Sequence, residues 1–507
     1  MKQWKKIILY SLFLSILFLW IGTKSSPLYP MNDWVDANAF FTMGKGLMNG
    51  LVPFKDLFEQ KGPILYFIYG IGYLFSHKTF LGIFLIEVIS FTFVLCYFYK
   101  ILRLYGREKQ FYSSAPFLLA IILTMPSFTH GGSCEELLLP CFFISFYHFL
   151  YLIKDKKYLE EGLKLYFVEG IIVGIVLWTK FILLGFWIGW VLFLGTLLLF
   201  GKQYKKIILI ILSYLAGILV VTFPILFYFF CTGSLKNLWN TYFYLNIVLY
   251  PSAEVSIPFG DRILILWKLL KENMNKNSIF MFTLIIGIVT LLRDKVVVKK
   301  WFKIGIFILL VFTFFFNYIG LKNHLYYFLV MSPFVILFGI TVSNLCSRVV
   351  IPMKYLTIIV IPILWIFVYL LGPNTYFIKV KKNTLAQFIF SDIMNKEESP
   401  TLLYYGNIDG GFYTVADILP TEKYFEKVNI RHDAFPDNED SQNLAIKNKN
   451  TDFVIIRIKK RRNPYHTGIP YLHENYEVIK VVDQVFEKVE FKYVLLKKRD
   501  SEKRSSI

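Results

Sequence analysis

The chain is a succession of apolar runs joined by short polar connections, and this pattern limits it to one kind of architecture. The runs lie near residues 7–22, 80–98, 113–125, 137–153, 165–178, 181–200, 207–230, 278–292, 304–316, 326–342 and 355–371. About twenty apolar residues cross a bilayer core, where helices satisfy all their backbone groups internally. The runs therefore predict a polytopic α-helical membrane protein with about eleven spans. Lys5 and Lys6 ahead of the first run resemble the start of a signal peptide. No small-residue cleavage site follows, so the first run reads as an uncleaved helix.

Composition excludes the obvious soluble alternatives. The residues are 56% hydrophobic and 18% charged, whereas a soluble domain has about 25% charged residues. A formal net charge of +20 suits a nucleic-acid binder, but here the basic residues form short clusters between apolar runs. That distribution points to a lipid bilayer and to no nucleic acid. Cys96, Cys134, Cys141, Cys231 and Cys346 lie in or beside apolar runs without metal-ligand spacing, so neither a disulfide framework nor a zinc site is expected.

The basic clusters fall on alternate connections: Lys2, Lys5 and Lys6; Arg103, Arg107 and Lys109; Lys154, Lys156, Lys157 and Lys164; Lys202, Lys205 and Lys206; Arg293, Lys295, Lys299, Lys300 and Lys303; Arg348 and Lys354. The positive-inside rule makes that side, and the N-terminus, cytoplasmic. The other connections are then extracytoplasmic: a long first loop at 23–79, a short one at 130–136 and a third at 231–277. Within the first loop, 63–75 is apolar but too short to span, and is expected to lie along the interface. An odd number of spans also places the C-terminal part outside. The expected division is a membrane domain at 1–373 and a small extracytoplasmic α/β domain at 374–507, with strands near 401–405, 453–458, 478–485 and 491–497.

Chemistry-bearing residues concentrate in the outer loops. Asp33 and Asp36 share a face if a helix begins at Asp33, close to an N-terminus that favours negative charge. For Asp33 a helix cap is the favoured reading over chemistry. Lys55, Lys61, Lys180 and Lys322 fall near the outer membrane surface, where each can meet a phosphate or snorkel to lipid head groups. Glu135 and Glu136 stand together at the start of a span. They serve there either as solvated binding groups or, for Glu136 with Ser133, as a cap. Glu87 and Glu169 lie within spans, and neither has a matching base within a span, which argues against an ion-coupled relay. His324 opens the tenth run beside Tyr326 and Tyr327, as a substrate contact or part of an aromatic belt.

The order of several motifs resembles the GT-C class of integral membrane glycosyltransferases, which includes protein O-mannosyltransferases and aminoarabinose transferases. The first loop carries Asp36, Phe40-Phe41, Gly44-Lys45-Gly46, Gly50, Val52-Pro53-Phe54-Lys55-Asp56 and Lys61-Gly62-Pro63. In the bacterial branch of the class an acid precedes a similar pattern, with tyrosine commoner at the position of Phe54. Gly131-Gly132-Ser133-Cys134-Glu135-Glu136, Trp178-Thr179-Lys180-Phe181 and the stretch from Tyr404 to Tyr413 resemble the same branch.

The resemblance implies an inverting hexosyl- or pentosyltransferase of the bacterial plasma membrane. It would move a monosaccharide from a polyprenyl-phosphate donor to a cell-envelope acceptor, whether glycan, teichoic acid, lipid or protein, on the outer face. Such a transfer needs one carboxylate to take the acceptor proton and cations to meet the departing phosphate. Asp36 matches the catalytic acid of the class, with Asp33 in reserve. Lys55, Lys61 and Lys180 are expected at the donor phosphate, and Glu135, Glu136 and His324 at the acceptor. No metal ligand or cofactor is assigned, although the class is metal-optional and a divalent metal is compatible with it. A flippase of lipid-linked saccharides is the alternative of a different kind, disfavoured because no repeated halves are visible. A polymer ligase or polymerase would share the outer-face site.

Overall fold

A computed structural model of the chain describes residues 2–251, 257–293, 300–346, 353–486 and 489–499. Of the basic residues named above, Lys295, Lys299 and Arg348 lie outside the described residues. The protein is a multi-helix membrane protein with a small mixed sheet in its C-terminal part. Every apolar run coincides with helical structure. Five stretches are long and apolar enough to cross a membrane by themselves: Lys2–Gly22, Leu81–Leu104, Leu163–Phe200, Tyr204–Cys231 and Trp301–Tyr318. Shorter apolar helices include Pro63–Phe75, Ser278–Thr290 and Thr357–Leu371.

The stretch Leu163–Phe200 is two antiparallel helices. Lys180 takes an extended conformation between the helix Leu163–Lys180 and the 3₁₀ turn Phe181–Leu184 that leads into Gly185–Phe200. Trp187 Nε1 consequently reaches Glu169 Oε2 at 3.2 Å. In one continuous helix those residues would stand about 27 Å apart, at 1.5 Å per residue.

The chain divides into two compact units. The first comprises Met1–Leu28, Phe84–Phe227 and Ser256–Tyr376. It is a helical bundle whose interior includes Phe142, Phe146, Phe186, Trp187 and Phe334, with Phe142 and Trp187 ring centroids 4.8 Å apart. Small residues let its helices approach closely. A Cβ on Gly170 would lie 2.1 Å from the Tyr214 carbonyl oxygen, and one on Gly217 would lie 2.2 Å from that of Phe167. Part of the expected third outer connection is ordered as an amphipathic helix, Phe259–Lys276.

The bundle also corrects one expectation. Glu169 does have an intramembrane partner: its Oε1 lies 2.6 Å from His148 Nδ1, and its Oε2 accepts from Ser145 Oγ at 2.6 Å. Two different helices supply these groups, so their pairing does not show as a sequence spacing.

The second unit comprises Tyr29–Ile83, Tyr228–Val255 and Phe377–Ile507. Helices Val35–Met48 and Pro63–Phe75 of the first loop pack backbone to backbone, because a Cβ on Gly44 would sit 2.5 Å from the Gly70 nitrogen. The C-terminal part of this unit contains β1 (Leu402–Tyr405), β2 (Phe453–Lys459), β3 (Tyr476–Phe486) and β4 (Val489–Lys498), in the order β1-β2-β4-β3. β1 and β2 are parallel, with Leu402 opposite Phe453, and the remaining pairs are antiparallel. Leu403, Val454, Ile456, Val494 and Leu496 project from three neighbouring strands into one core with Ile446 of the helix Asp437–Asn448.

Candidate active site

In the helical bundle, polar residues converge from the ends of several helices. Asn374, beyond the last apolar helix, joins three of them: its Nδ2 donates to the Gly22 carbonyl at 2.7 Å and to that of Phe128 at 3.1 Å, while its Oδ1 accepts from His130 N at 2.7 Å. Lys24 is buried there, with Nζ 3.4 Å from His130 Nδ1 and 3.2 Å from the Tyr376 hydroxyl. Ser25 Oγ donates to Glu87 Oε1 at 2.8 Å.

The loop before Cys134 follows from its glycines. His130, Gly131 and Gly132 all have positive φ, which glycine adopts without strain. Gly131 leaves no room for a side chain, since a Cβ would fall 1.9 Å from Thr23 Oγ1. This path delivers Ser133 as the cap of the short helix Cys134–Leu137, its Oγ accepting from Glu136 N at 3.0 Å. Glu136 Oε2 in turn accepts from Gly132 N at 2.7 Å. Of the two readings left open for Glu136, the structure shows the cap with Ser133, on this short helix ahead of Leu139–Ile153, with the return bond from Gly132 N.

Glu135 is ion-paired with Lys180, and both are buried. The Lys180 ammonium also faces the Tyr327 ring at 4.0 Å and the Tyr326 ring at 5.4 Å, while His324 stacks against Tyr326 with centroids 5.6 Å apart. Glu135 Oε2 and Glu136 Oε1 are buried carboxylate oxygens with no hydrogen-bond partner among the described residues. Such oxygens are costly in a low-dielectric interior. A bound hydroxyl or water would relieve that cost.

In the second unit, the first-loop helix begins later than the sequence suggests. Its N-cap position is Trp34, which makes no side-chain capping bond, and Asp36 lies in its first turn. Asp33 therefore precedes the N-cap. Asn32 Oδ1 accepts from Trp34 N at 3.1 Å, and Asn38 Nδ2 donates to the carbonyls of Asn32 and Trp34. These contacts fix the entry of the chain into the helix. Asp36 and Asp33 are both half-buried.

Acids from the C-terminal part of this unit surround the same helix. Asp409 Oδ2 accepts from Thr42 Oγ1 at 2.6 Å, its Oδ1 accepts from Gly411 N at 2.8 Å, and its own N–H donates to Glu426 Oε2 at 2.9 Å. Burial pushes the Asp409 carboxyl up to about 6, against the opposing pull of Thr42, Gly411 and Lys45. Glu426 is held well above the ordinary carboxylate range, first by burial, then by the charges of Glu59, Asp409 and Asp36. Lys45 is buried against the carbonyls of Tyr413 at 2.8 Å and Ile418 at 3.2 Å and against Asp417 Oδ1 at 3.3 Å. Burial lowers its pKa, and Asp417 opposes that shift.

The two first-loop lysines differ. Lys61 Nζ lies 3.5 Å from Glu59 Oε1 and 5.7 Å from the Phe40 ring centre, while Glu59 Oε2 accepts from the Tyr66 hydroxyl at 2.6 Å. Lys55 is exposed and donates to the Thr232 carbonyl at 3.2 Å. Among the described residues, no group of three His, Cys, Asp or Glu side chains is arranged to hold a metal ion.

No family model matches the sequence of the chain, and no curated protein does. Solved structures do match: ArnT from Cupriavidus metallidurans bound to undecaprenyl phosphate superimposes with a TM-score of 0.60 at 11% identity, over 98% of each chain. The apo state of the same protein gives 0.59 at 10% identity, over 97% of this chain and 98% of that one. The chain therefore shares the fold of ArnT. The match covers nearly all of both chains, so the aligned residues include the C-terminal sheet as well as the helices.

Sequence reasoning passed over Lys24, Glu59, Asp409 and Glu426. Lys24 carried the same signal as Lys180, a lysine at the end of an apolar run. Asp409 lies within a motif that was read for its resemblance, and its contact with Thr42 spans 367 residues of sequence.

Proposed function

We propose that the protein is a polyprenyl-phosphate-sugar glycosyltransferase that moves a monosaccharide to a cell-envelope acceptor on the outer face of the bacterial plasma membrane. The observation that carries this reading is the match over 98% of both chains to a protein whose structure holds undecaprenyl phosphate. The basic clusters support a cytoplasmic N-terminus and an extracytoplasmic region 374–507.

In this reading Asp36 takes the proton of the acceptor hydroxyl. The acceptor oxygen bonds to the anomeric carbon from the face opposite the phosphate, and the carbon–oxygen bond to the polyprenyl phosphate breaks. The configuration inverts, and the lipid phosphate leaves as a stable anion. Asp36 suits the task because it lies in the first turn of a helix that Gly44 and Thr42 anchor. Asp33, ahead of the N-cap, is the reserve base.

Lys180, held in place by Glu135 and two tyrosine rings, is the candidate cation of the helical bundle for the departing phosphate, and Lys61 is that of the first loop. Lys55 is a weaker candidate, because it is exposed and bonded to a carbonyl. The unpartnered oxygens of Glu135 and Glu136 support contact with acceptor hydroxyls, and His324 extends that role.

The test is transfer of labelled sugar from polyprenyl-phosphate donors by reconstituted protein, comparing wild type with Asp36→Asn at matched insertion. Loss of transfer by about a hundredfold or more is the expected result, as for removal of a general base. Transfer at the wild-type rate would overturn the role of Asp36. Saccharide translocation without transfer would favour a flippase.

A further inference from the structure

The helix Phe259–Lys276 of the first unit stands immediately before the apolar helix Ser278–Arg293, with Asn277 as the joint. Polar contacts fix that joint to the bundle. Asn273 Nδ2 donates to Asn323 Oδ1 at 3.1 Å, Glu272 Oε2 accepts from Asn323 Nδ2 at 2.8 Å, and Asn277 Oδ1 accepts from Ser127 Oγ at 2.8 Å. The helix is therefore held at the level where a membrane segment begins.

Its residues fall on three sides at 3.6 per turn. Leu266, Leu269 and Asn273 face the bundle: Leu269 and Asn273 are buried, and Leu266 packs against the core. Next round the helix come Ile263, Leu264 and Trp267, which are 52%, 66% and 58% exposed. Lys268, Lys271 and Asn275 follow on the third side, all exposed, with Lys271 Nζ 5.9 Å from the Trp267 ring centre. The apolar arc is thus wider than the bundle covers, and its uncovered part borders directly on lysines. Phe282 and Ile285 of the following helix are exposed as well.

Water is a poor environment for that uncovered side, because exposed apolar surface forgoes the hydrophobic stabilisation that burial gives. At the end of a membrane helix the second apolar environment is the acyl region of the bilayer. A basic amphipathic helix lies in the plane of that interface, with tryptophan at headgroup level and lysines reaching outward. Charge then selects the lipid. The helix carries Arg262, Lys268, Lys271 and Lys276 against Asp261 and Glu272, and Glu272 is already engaged by Asn323. Cations beside the acyl region favour net-negative headgroups. A protein groove that covered Trp267 would strip water from the Lys271 ammonium, and an isologous contact with a second copy would bring the lysines of both helices together.

We propose that the helix Phe259–Lys276 docks on anionic phospholipid at the membrane surface, with Ile263, Leu264 and Trp267 among the acyl chains and Lys268 and Lys271 on the headgroups. The inference does not depend on the transferase reading. The experiment places the photoreactive residue benzoylphenylalanine at position 264 of the full chain, reconstituted in vesicles of equal parts phosphatidylglycerol and phosphatidylcholine. After irradiation, mass spectrometry of the peptide containing position 264 reads what it has captured. Lipid adducts are expected there, and none with the same residue at position 275, on the polar side.

Phosphatidylglycerol adducts should exceed phosphatidylcholine adducts on the order of twentyfold, and Lys268→Gln or Lys271→Gln should each lower that ratio about fivefold, the effect of one cation at an anionic surface. Both lysines are exposed, so the variants fold as wild type does. No lipid adduct at position 264, or a covalent dimer in its place, would overturn the docking. Equal capture of the two lipids, or a ratio indifferent to both lysine variants, would overturn the recognition of anionic lipid.

Discussion

The Thr42 hydroxyl donates to Asp409 Oδ2 at 2.6 Å, joining the first-loop helix to the loop that follows β1. Lys45, one turn further along the same helix, holds the carbonyls of Tyr413 and Ile418. Gly411, between these contacts, has φ +88, and a Cβ there would lie 2.6 Å from the Met31 side chain. The helix that carries Asp36 is thus positioned by residues nearly four hundred places away in the sequence. Buried polar contacts of this kind specify a unique arrangement only when every member is satisfied.

The Asp409 carboxyl makes this contact sensitive to pH. Its folded pKa of about 6 lies above the unfolded 3.8, because burial disfavours the charge. The proton therefore stabilises the folded state: that contribution is complete below pH 3.8 and is lost as pH rises through about 6. At neutral pH the ionised group opposes folding by about 3 kcal/mol, at 1.36 kcal/mol per unit. Protection of the Gly411 amide and its neighbours, taken relative to intrinsic base-catalysed exchange, should fall between pH 4 and 7 in wild type, and Asp409→Asn should flatten that dependence. An unchanged slope in the variant would assign the effect elsewhere.

Lys180 and Glu135 separate structure from chemistry. Lys180→Met leaves a buried carboxylate unpaired and should lower stability by about 3–5 kcal/mol. Adding Glu135→Gln removes the stranded charge and should restore most of that loss in thermal unfolding. Sugar transfer should stay low in both variants. Recovery of transfer in the double variant would show that Lys180 serves stability alone.

Gly44 permits the contact between Val35–Met48 and Pro63–Phe75. Gly44→Ala places a methyl 2.5 Å from the Gly70 nitrogen, where backbone must move. Overpacking of this kind destabilises by about 1–3 kcal/mol. Because Asp36 lies on the displaced helix, transfer should fall more than stability does. Gly50→Ala meets no atom within 4 Å and serves as a control for clash, although its φ of +87 carries a separate strain.

Glu169 tests the polar network inside the bundle. Glu169→Leu strands His148 Nδ1 and the Ser145 hydroxyl proton, while Trp187 Nε1 keeps its bond to Ser145 Oγ at 2.9 Å, and should destabilise the protein by about 2–4 kcal/mol. Glu169→Gln keeps most of these bonds and should lose about half as much. Equal losses in the two variants would mean that the charge, and not the hydrogen bonding, holds the network.

The spans and the strands were legible because burial leaves a periodic or continuous apolar record in local sequence. β1–β4 fall within a few residues of the expected strands, and the two helices from Leu163 to Phe200 were separable by their polar break at Thr179-Lys180. The Ser133 cap was also readable, since its partner Glu136 is three residues away. The missing base for Glu169 was not, because His148 belongs to another helix and looks like any interfacial aromatic until the helices pack.

What the sequence determined by itself is therefore the membrane-spanning class, the order of elements and the set of polar residues that need a partner. Tertiary structure alone decided which partner each one takes: Asp409 for Thr42, Glu135 for Lys180, Glu87 for Ser25. The reason is physical. Hydrophobic patterning acts through neighbours a few residues apart, whereas a desolvated charge pairs with whatever the fold brings within hydrogen-bonding distance.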